Sequence, residues 1–219
     1  MIIPLFLDTD DKRFFPADAR SVIAEICAAT DTEVHNLLPT LANEVELAAQ
    51  TGHWVIPETG ETATAISRRR IRWVVDPARH GGLIGIARDQ LRSTLFHELH
   101  HLARGSVRES GARRGSIMDT VVSEGLATAF ERDAGGRNSP WGRYPPEVTS
   151  WIEELLRLPP GVPHGSWMFK HPDGRQWIGY RAGVYIVDQA QRRSGLSAAQ
   201  LVHTSTSEVL SLAGIDAAL

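Results

Sequence analysis

Residues 92–104 contain the densest group of metal-binding and acid–base side chains in the sequence. The segment RSTLFHELHHLAR places three histidines and a glutamate among leucine and phenylalanine residues. At about 100° per residue, the apolar side chains share one side of a helix, and His97 and His101 lie about 40° apart on the other side. Two imidazoles one turn apart can bind one divalent ion, so the spacing predicts an HExxH metal site.

Glu98 lies beside this pair, whereas His100 falls on the far flank of His97. Zinc lowers the pKa of a bound water to about 7 and polarises a carbonyl group. A carboxylate next to the ion can accept the proton of that water and pass it to a leaving amine. The pattern predicts zinc-dependent peptide hydrolysis, in which Glu98 activates a zinc-bound water for attack on a peptide carbonyl.

A third ligand is expected, because catalytic zinc usually has three protein ligands and one open position. The segment SIMDTVVSEGLATAF offers Glu124, opposite the apolar side of a second predicted helix. Gly125 removes a side chain where two helices would approach closely. Asp119 and Glu131 are rival ligands, but Asp119 points toward the apolar side and Glu131 lies two turns farther along. We therefore predict that Glu124 is the third ligand.

The elements around these segments predict an α+β fold that is mostly helical, with a small sheet before the HExxH helix. Residues 1–50 are predicted to be helical, with a kink or restart at Pro39. HWVIP and RRRIRWVVDP have the composition of short strands. ETGETATAIS lies between them and has the composition of a turn and a strand edge. GLIGI precedes the HExxH helix, which is predicted from about residue 89 to its stop at Gly105.

The rest of the chain is predicted to have two parts. Residues 54–135 hold the sheet and the two metal-binding helices, the second from about 117 to 133, and residues 146–219 form a helical C-terminal part. Its helices are predicted over 146–158 and 176–193 and near Ala198 and Ser207. All of these parts are assigned to one domain, residues 1–219.

Composition narrows the possible classes of function. A net charge of −3 gives no reason to expect binding to nucleic acid. The single cysteine, Cys27, excludes an internal disulfide and is predicted to be a buried apolar residue. No run approaches the ~18 apolar residues of a membrane span, and the N-terminus lacks a basic signal-peptide region, so we expect a cytoplasmic protein without membrane contacts. The sequence does not indicate an oligomeric state.

The segments LRSTLFHELHHLAR, VVSEGLATAF and WIGYRAGVYIVDQA resemble, in this order, a bacterial family of predicted zinc-dependent proteases of otherwise unknown function. That family is similar in motif to gluzincin peptidases such as thermolysin. The resemblance covers about residues 54–210 and implies a zincin-like fold and a peptide or protein substrate. It implies that His97, His101 and Glu124 bind zinc and that Glu98 is the general base. Thr128 stands where thermolysin-like enzymes have an aspartate that supports a ligand histidine.

The same resemblance suggests further site residues. Tyr180 is a candidate donor to the oxyanion, with a packed core aromatic as the alternative, and for Arg181 a structural ion pair is the favoured interpretation. His164 and His171 would line the cleft or be solvated loop residues. In gluzincins an edge strand before the metal helix binds the substrate, and IRWVVDP or GLIGI would either serve as that strand or be an ordinary part of the sheet.

Two other functions fit the same ligands. The protein would be a non-catalytic zinc-binding module on a peptidase-like scaffold if a fourth protein ligand, from His100, His164 or His171, closed the site. Metal-assisted hydrolysis of a substrate other than a peptide is the third possibility. Zinc is the expected metal, with manganese or cobalt as alternatives.

Overall fold

The computed structural model describes residues 1–7, 15–107 and 115–215. It is about 51% helical and has one small four-stranded sheet, which confirms the predicted α+β class. The chain divides into two compact units, Met1–Gly111 and Ala112–Leu219. That the whole chain functions as one zincin-like domain stays a prediction.

The first unit contains the sheet, in the strand order β1–β2–β4–β3. Its strands are β1 (Ile2–Phe6), β2 (Val45–Thr51), β3 (Glu61–Ser67) and β4 (Arg70–Val75). β1, β2 and β4 are parallel, and β3 pairs with β4 in the antiparallel direction. The strand predicted at RRRIRWVVDP is therefore confirmed, as the central β4, and β3 is an edge strand.

The prediction that residues 1–50 are helical is wrong for the described residues outside α1 (Ala17–Leu37), that is, for 1–7, 15–16 and 38–50. Val45–Thr51 forms β2, which lies between two parallel strands and is largely buried. In VELAAQT the polar Glu46 and Gln50 are four residues apart with apolar residues between them, a spacing that also fits a helix. HWVIP was also assigned wrongly, because in that segment only Ile56 forms a bridge, to Glu61.

Two helical segments of the first unit position the HExxH motif. α1 buries a stripe at helical spacing that includes Cys27, as predicted. α2 (Gly82–Ile86) continues through a π-helical turn, Ala87–Leu91, into α3 (Arg92–Arg104). α3 packs against α1 and β3 and ends at Gly105, whose φ of 79° suits glycine.

The second unit is helical, and most of its helices were predicted. They are α4 (Ile117–Gly135), α5 (Val148–Leu156), α6 (His164–Met168), α7 (Ile178–Ser194) and α8 (Thr206–Ala213). The helix expected near Ala198 is wrong, because the chain makes turns there.

α4 and α7 approach each other closely at two glycines. A Cβ added to Gly125 would lie 2.3 Å from the carbonyl carbon of Gly183, and one added to Gly183 would lie 2.2 Å from the carbonyl oxygen of Val121. Neither position therefore tolerates a side chain without movement of a helix backbone. The prediction that Gly125 marks a close helix contact is confirmed.

Within the described parts of the chain, no helix is long and apolar enough to cross a membrane. A cytoplasmic location stays a prediction from the sequence.

Candidate metal centre

His97 and His101 lie one turn apart on α3, and both are at least nine-tenths buried. Their Nε2 atoms are 3.1 Å apart, and the two rings meet edge to face with centroids 4.8 Å apart. Two nitrogens bound to one tetrahedral zinc at about 2.0–2.1 Å would be separated by about 3.3 Å. The observed convergence of the two Nε2 atoms therefore fits a shared zinc ion.

Glu124 of α4 belongs to the same group of potential ligands. One ligand atom each from His97, His101 and Glu124 lies within 4.8 Å of the other two, and Glu124 is half-buried. Among the described residues this is the one group of three or more His, Cys, Asp or Glu side chains close enough to hold a metal ion. Two imidazole nitrogens and one carboxylate oxygen form a donor set suited to catalytic zinc, with one position left open.

The two rival carboxylates are engaged elsewhere and are not members of this group. Asp119 forms a capping box with Ser116 at the start of α4, and its Oδ1 accepts a hydrogen bond from Thr206. Glu131 is buried and accepts a hydrogen bond from the Ser139 hydroxyl. Of the three acidic candidates on α4, only Glu124 has a ligand atom near the histidine pair.

The remaining candidate histidines also lie outside the group. His100 is completely buried. Nδ1 of His164 is 3.0 Å from the Thr120 hydroxyl, one turn before Glu124 on α4. His171 stacks on Trp167, with ring centroids 4.4 Å apart, and pairs with Asp173. None of them completes a fourth position around the three-residue group in the described structure.

The Glu98 carboxylate is held by the backbone of β3. Oε2 of Glu98 accepts a hydrogen bond of 2.7 Å from the Ala65 amide, and the side chain is 7% exposed. In the described structure Oε1 has no hydrogen-bond partner. One oxygen is therefore fixed, and the other is available to exchange a proton.

A family model described as "Predicted Zn-dependent protease (DUF2268)" matches residues 84–211, which is more than half of the chain. The chain belongs to this family. The match includes α3 and α4, and hence the HExxH motif and Glu124. The family description and the group of three ligand-type side chains both indicate zinc as the cofactor. No curated protein matches the chain.

Neither of the two segments predicted as a substrate-binding edge strand lies at an edge of the sheet. IRWVVDP lies in β4, which has a neighbour on each side, and GLIGI forms helix α2. The edge beside α3 is β3, from ETGETATAIS. The Ala65 amide bonds to Glu98, and the Glu61 carbonyl accepts from Ile56. Because alternate residues of a strand face the same way, Ala63 also presents its amide and carbonyl to this open edge.

The opposite edge is less suited to adding a strand. In β1, the Met1 carbonyl and the Leu7 amide bond to β2, so the intervening even-numbered residues face outward. Pro4 is one of them, and proline has no amide hydrogen to donate to an added strand.

Tyr180 is half-buried among aromatic side chains of the second unit. Its ring centroid lies 5.7 Å from that of Trp177, 5.8 Å from Trp141 and 6.2 Å from Phe169. An oxyanion-binding role for Tyr180 stays a prediction. The structural ion pair expected for Arg181 is absent from the described residues, and its Nε is buried without a hydrogen-bond partner.

The sequence analysis missed two contacts of β3. One is the Ala65 amide on Glu98, and the other involves Glu61, a carboxylate that is only 4% exposed. Glu61 accepts a 2.7 Å hydrogen bond from the Trp73 indole and a 3.1 Å bond from the Thr94 hydroxyl on α3. A glutamate at the start of a strand of small residues carries no sequence signal for either contact.

Proposed function

We propose that this chain is a zinc metallopeptidase of the gluzincin type. His97, His101 and Glu124 bind the zinc ion, and Glu98 is the general base. The observation that carries the proposal is the convergence of three ligand atoms within 4.8 Å, with Glu98 next to one of the ligands on α3.

A zinc ion held by these side chains supplies Lewis acidity, which makes water a sufficient nucleophile at neutral pH and polarises the scissile carbonyl. Glu98 accepts the proton of the attacking water on Oε1 and returns it to the nitrogen of the leaving amine. The Ala65 amide holds Oε2 during both transfers, so the carboxylate does not rotate away. This pre-set orientation lowers the entropic cost of each proton transfer.

The substrate is a peptide or protein segment that binds in an extended conformation along the open edge of β3. Ala63 provides one amide and one carbonyl for pairing with the substrate backbone. Ala65, two residues farther along, is bonded to Glu98, and this bond puts the general base at the end of that edge. Pairing with a strand edge depends on an extended substrate backbone more than on its side chains. We therefore expect a preference for unfolded or flexible segments.

We assign the oxyanion donor to the start of α7. Tyr180 is the first candidate, because it is half-buried and has a phenolic hydroxyl. Arg181 is the second, because it forms no ion pair among the described residues and so keeps its charge available. Tyr180→Phe and Arg181→Met distinguish the two, since only loss of the true donor lowers kcat about 10²-fold or more with little change in KM.

The test is cleavage of a peptide library by the zinc-loaded full chain and by its Glu98→Gln variant. Glutamine keeps the shape of the side chain and an oxygen for the Ala65 amide, but it cannot act as the base. We expect zinc content to stay at the parent level and kcat/KM to fall 10²- to 10⁴-fold. Equal cleavage rates for the two proteins would exclude Glu98 as the base.

The Ala65–Glu98 contact also fits a second function, a non-catalytic zinc-binding module. A buried carboxylate bonded to the backbone of a neighbouring strand can serve to dock a helix. If the parent binds zinc stoichiometrically but cleaves no member of a broad peptide library, this second function is supported and the peptidase is excluded.

A further inference from the structure

The side chain of Glu61 lies in the interior of the first unit, against the metal-binding helix. It is 4% exposed and accepts hydrogen bonds from Trp73 of β4 and Thr94 of α3. Burying a carboxylate costs free energy unless strong hydrogen bonds compensate for the lost water. Both bonds satisfy part of that need, and the Thr94 bond connects the carboxylate to α3.

Thr94 lies on the face of α3 that carries the proposed site. It precedes His97 by three residues, Glu98 by four and His101 by seven, and these spacings place all four side chains on one side of a helix. The Glu61 carboxylate is therefore bonded to the turn directly before the proposed ligands and base.

The same edge strand makes a second polar contact with this face. The Ala65 amide bonds to Glu98, one turn after Thr94. Two hydrogen bonds on one face, one turn apart, restrict both rotation of α3 about its axis and sliding along β3. The apolar side of α3, with Leu95 and Leu99, would tolerate small rotations, because apolar contacts are not directional.

We propose that Glu61 is a positioning residue for the zinc site. By holding Thr94, its carboxylate sets the rotation of α3 and thus the direction of the His97 and His101 imidazoles. The inference rests on the proposed zinc ligands. It assigns this role to a strand residue more than thirty positions before the motif.

The test measures zinc affinity of the full chain by competition with a chromophoric chelator. Thr94→Val keeps the shape of residue 94 and removes its hydroxyl, whereas Glu61→Gln keeps the shape of residue 61 and weakens the Thr94 bond by replacing its charged acceptor with a neutral one. We expect each variant to stay folded and to raise the Kd for zinc about 10-fold or more. The double variant should raise it no further than the worse single variant, because both act through one hydrogen bond.

Glu46→Gln is the matched control. Glu46 lies on β2 of the same sheet, has a side chain that is 39% exposed and pairs with Arg70, so loss of its charge should leave the zinc Kd within about twofold of the parent. The visible spectrum of the cobalt-substituted protein gives a second measurement, since altered imidazole orientation changes the ligand field. We expect a changed spectrum for Glu61→Gln and Thr94→Val and an unchanged one for Glu46→Gln.

A melting temperature that falls in Glu61→Gln and Thr94→Val, with zinc Kd and cobalt spectrum unchanged, would overturn the inference and leave the proposed function standing. The variant His97→Ala tests whether the proposed zinc ligands themselves are wrong. If the parent and His97→Ala bind zinc equally well, the proposed ligands are wrong, and the role of Glu61 is excluded with them.

Discussion

The Glu98 side chain belongs to α3 but is hydrogen-bonded to the backbone of β3. Its Oε2 is fixed by the Ala65 amide, 33 residues earlier in the chain, and its Oε1 has no partner in the described structure. The motif alone predicts the general base, because HExxH is contained in one helical turn. The sequence does not predict what orients that base, because its partner is a backbone amide, which every residue except proline offers.

Ala65→Pro tests the contact with Glu98 directly. Proline removes the amide hydrogen, and residue 65 faces the open edge of the sheet, where proline is tolerated. We expect kcat to fall about 10- to 100-fold with zinc content unchanged, because the carboxylate loses its fixed orientation. Ala63→Pro is the control, since it removes an amide proposed to bind the substrate and should mainly raise KM. If both variants raise KM and leave kcat unchanged, the Ala65 amide does not orient the base.

Cys27 gives a prediction about alkaline pH. Burial, together with the nearby charge of Asp31, raises the pKa of Cys27 from 9.0 to about 12. The folded chain therefore keeps the thiol protonated in a range where the unfolded chain ionises it. This contribution to stability is fully present below about pH 9 and is lost as the pH rises toward 12.

We expect the native thiol to resist a disulfide reagent at pH 8 and to react rapidly in denaturant. In urea titrations between pH 8 and 11, the parent should lose more unfolding free energy than Cys27→Val. Equal pH slopes for the two proteins, or fast reaction of the native thiol, would contradict this account.

At the scale of elements, the long amphipathic helices were predictable and the sheet was only partly so. α3 and α7 show a clear 3.6-residue period, α4 is buried on nearly all sides, and all three end close to the predicted positions. β2 was taken for helix because its polar residues, Glu46 and Gln50, are four positions apart, as on one side of a helix. β3 was recognised only as strand-edge material, and its position beside α3 depends on pairing with β4, which its own residues do not specify.

The contact between α4 and α7 makes a prediction about stability. Gly125→Ala places a methyl group 2.3 Å from the Gly183 backbone, so the helices must separate. We expect the free energy of unfolding to fall by about 2–4 kcal/mol. Gly165→Ala, where an added methyl group meets nothing within 4 Å, is the control and should change it by less than about 1 kcal/mol. Equal effects in chemical denaturation would contradict a close contact at Gly125.

At the scale of the whole molecule, composition and element order predicted the fold class but not the strand order. The sheet joins Ile2 to Val45 and Glu46 to Arg70, pairings set by the packing of the complete first unit. The candidate site is likewise only partly predictable from the sequence. Ligands on one helix follow from spacing, whereas Glu61 approaches α3 only through the fold.

The central claim is that His97, His101 and Glu124 bind one zinc ion. Anomalous diffraction at the zinc absorption edge, from crystals of the zinc-loaded full chain, tests it most directly. We predict one strong peak about 2.0–2.2 Å from Nε2 of His97, Nε2 of His101 and a carboxylate oxygen of Glu124. No peak at this position, or a zinc ion bound without these three side chains, would contradict the account.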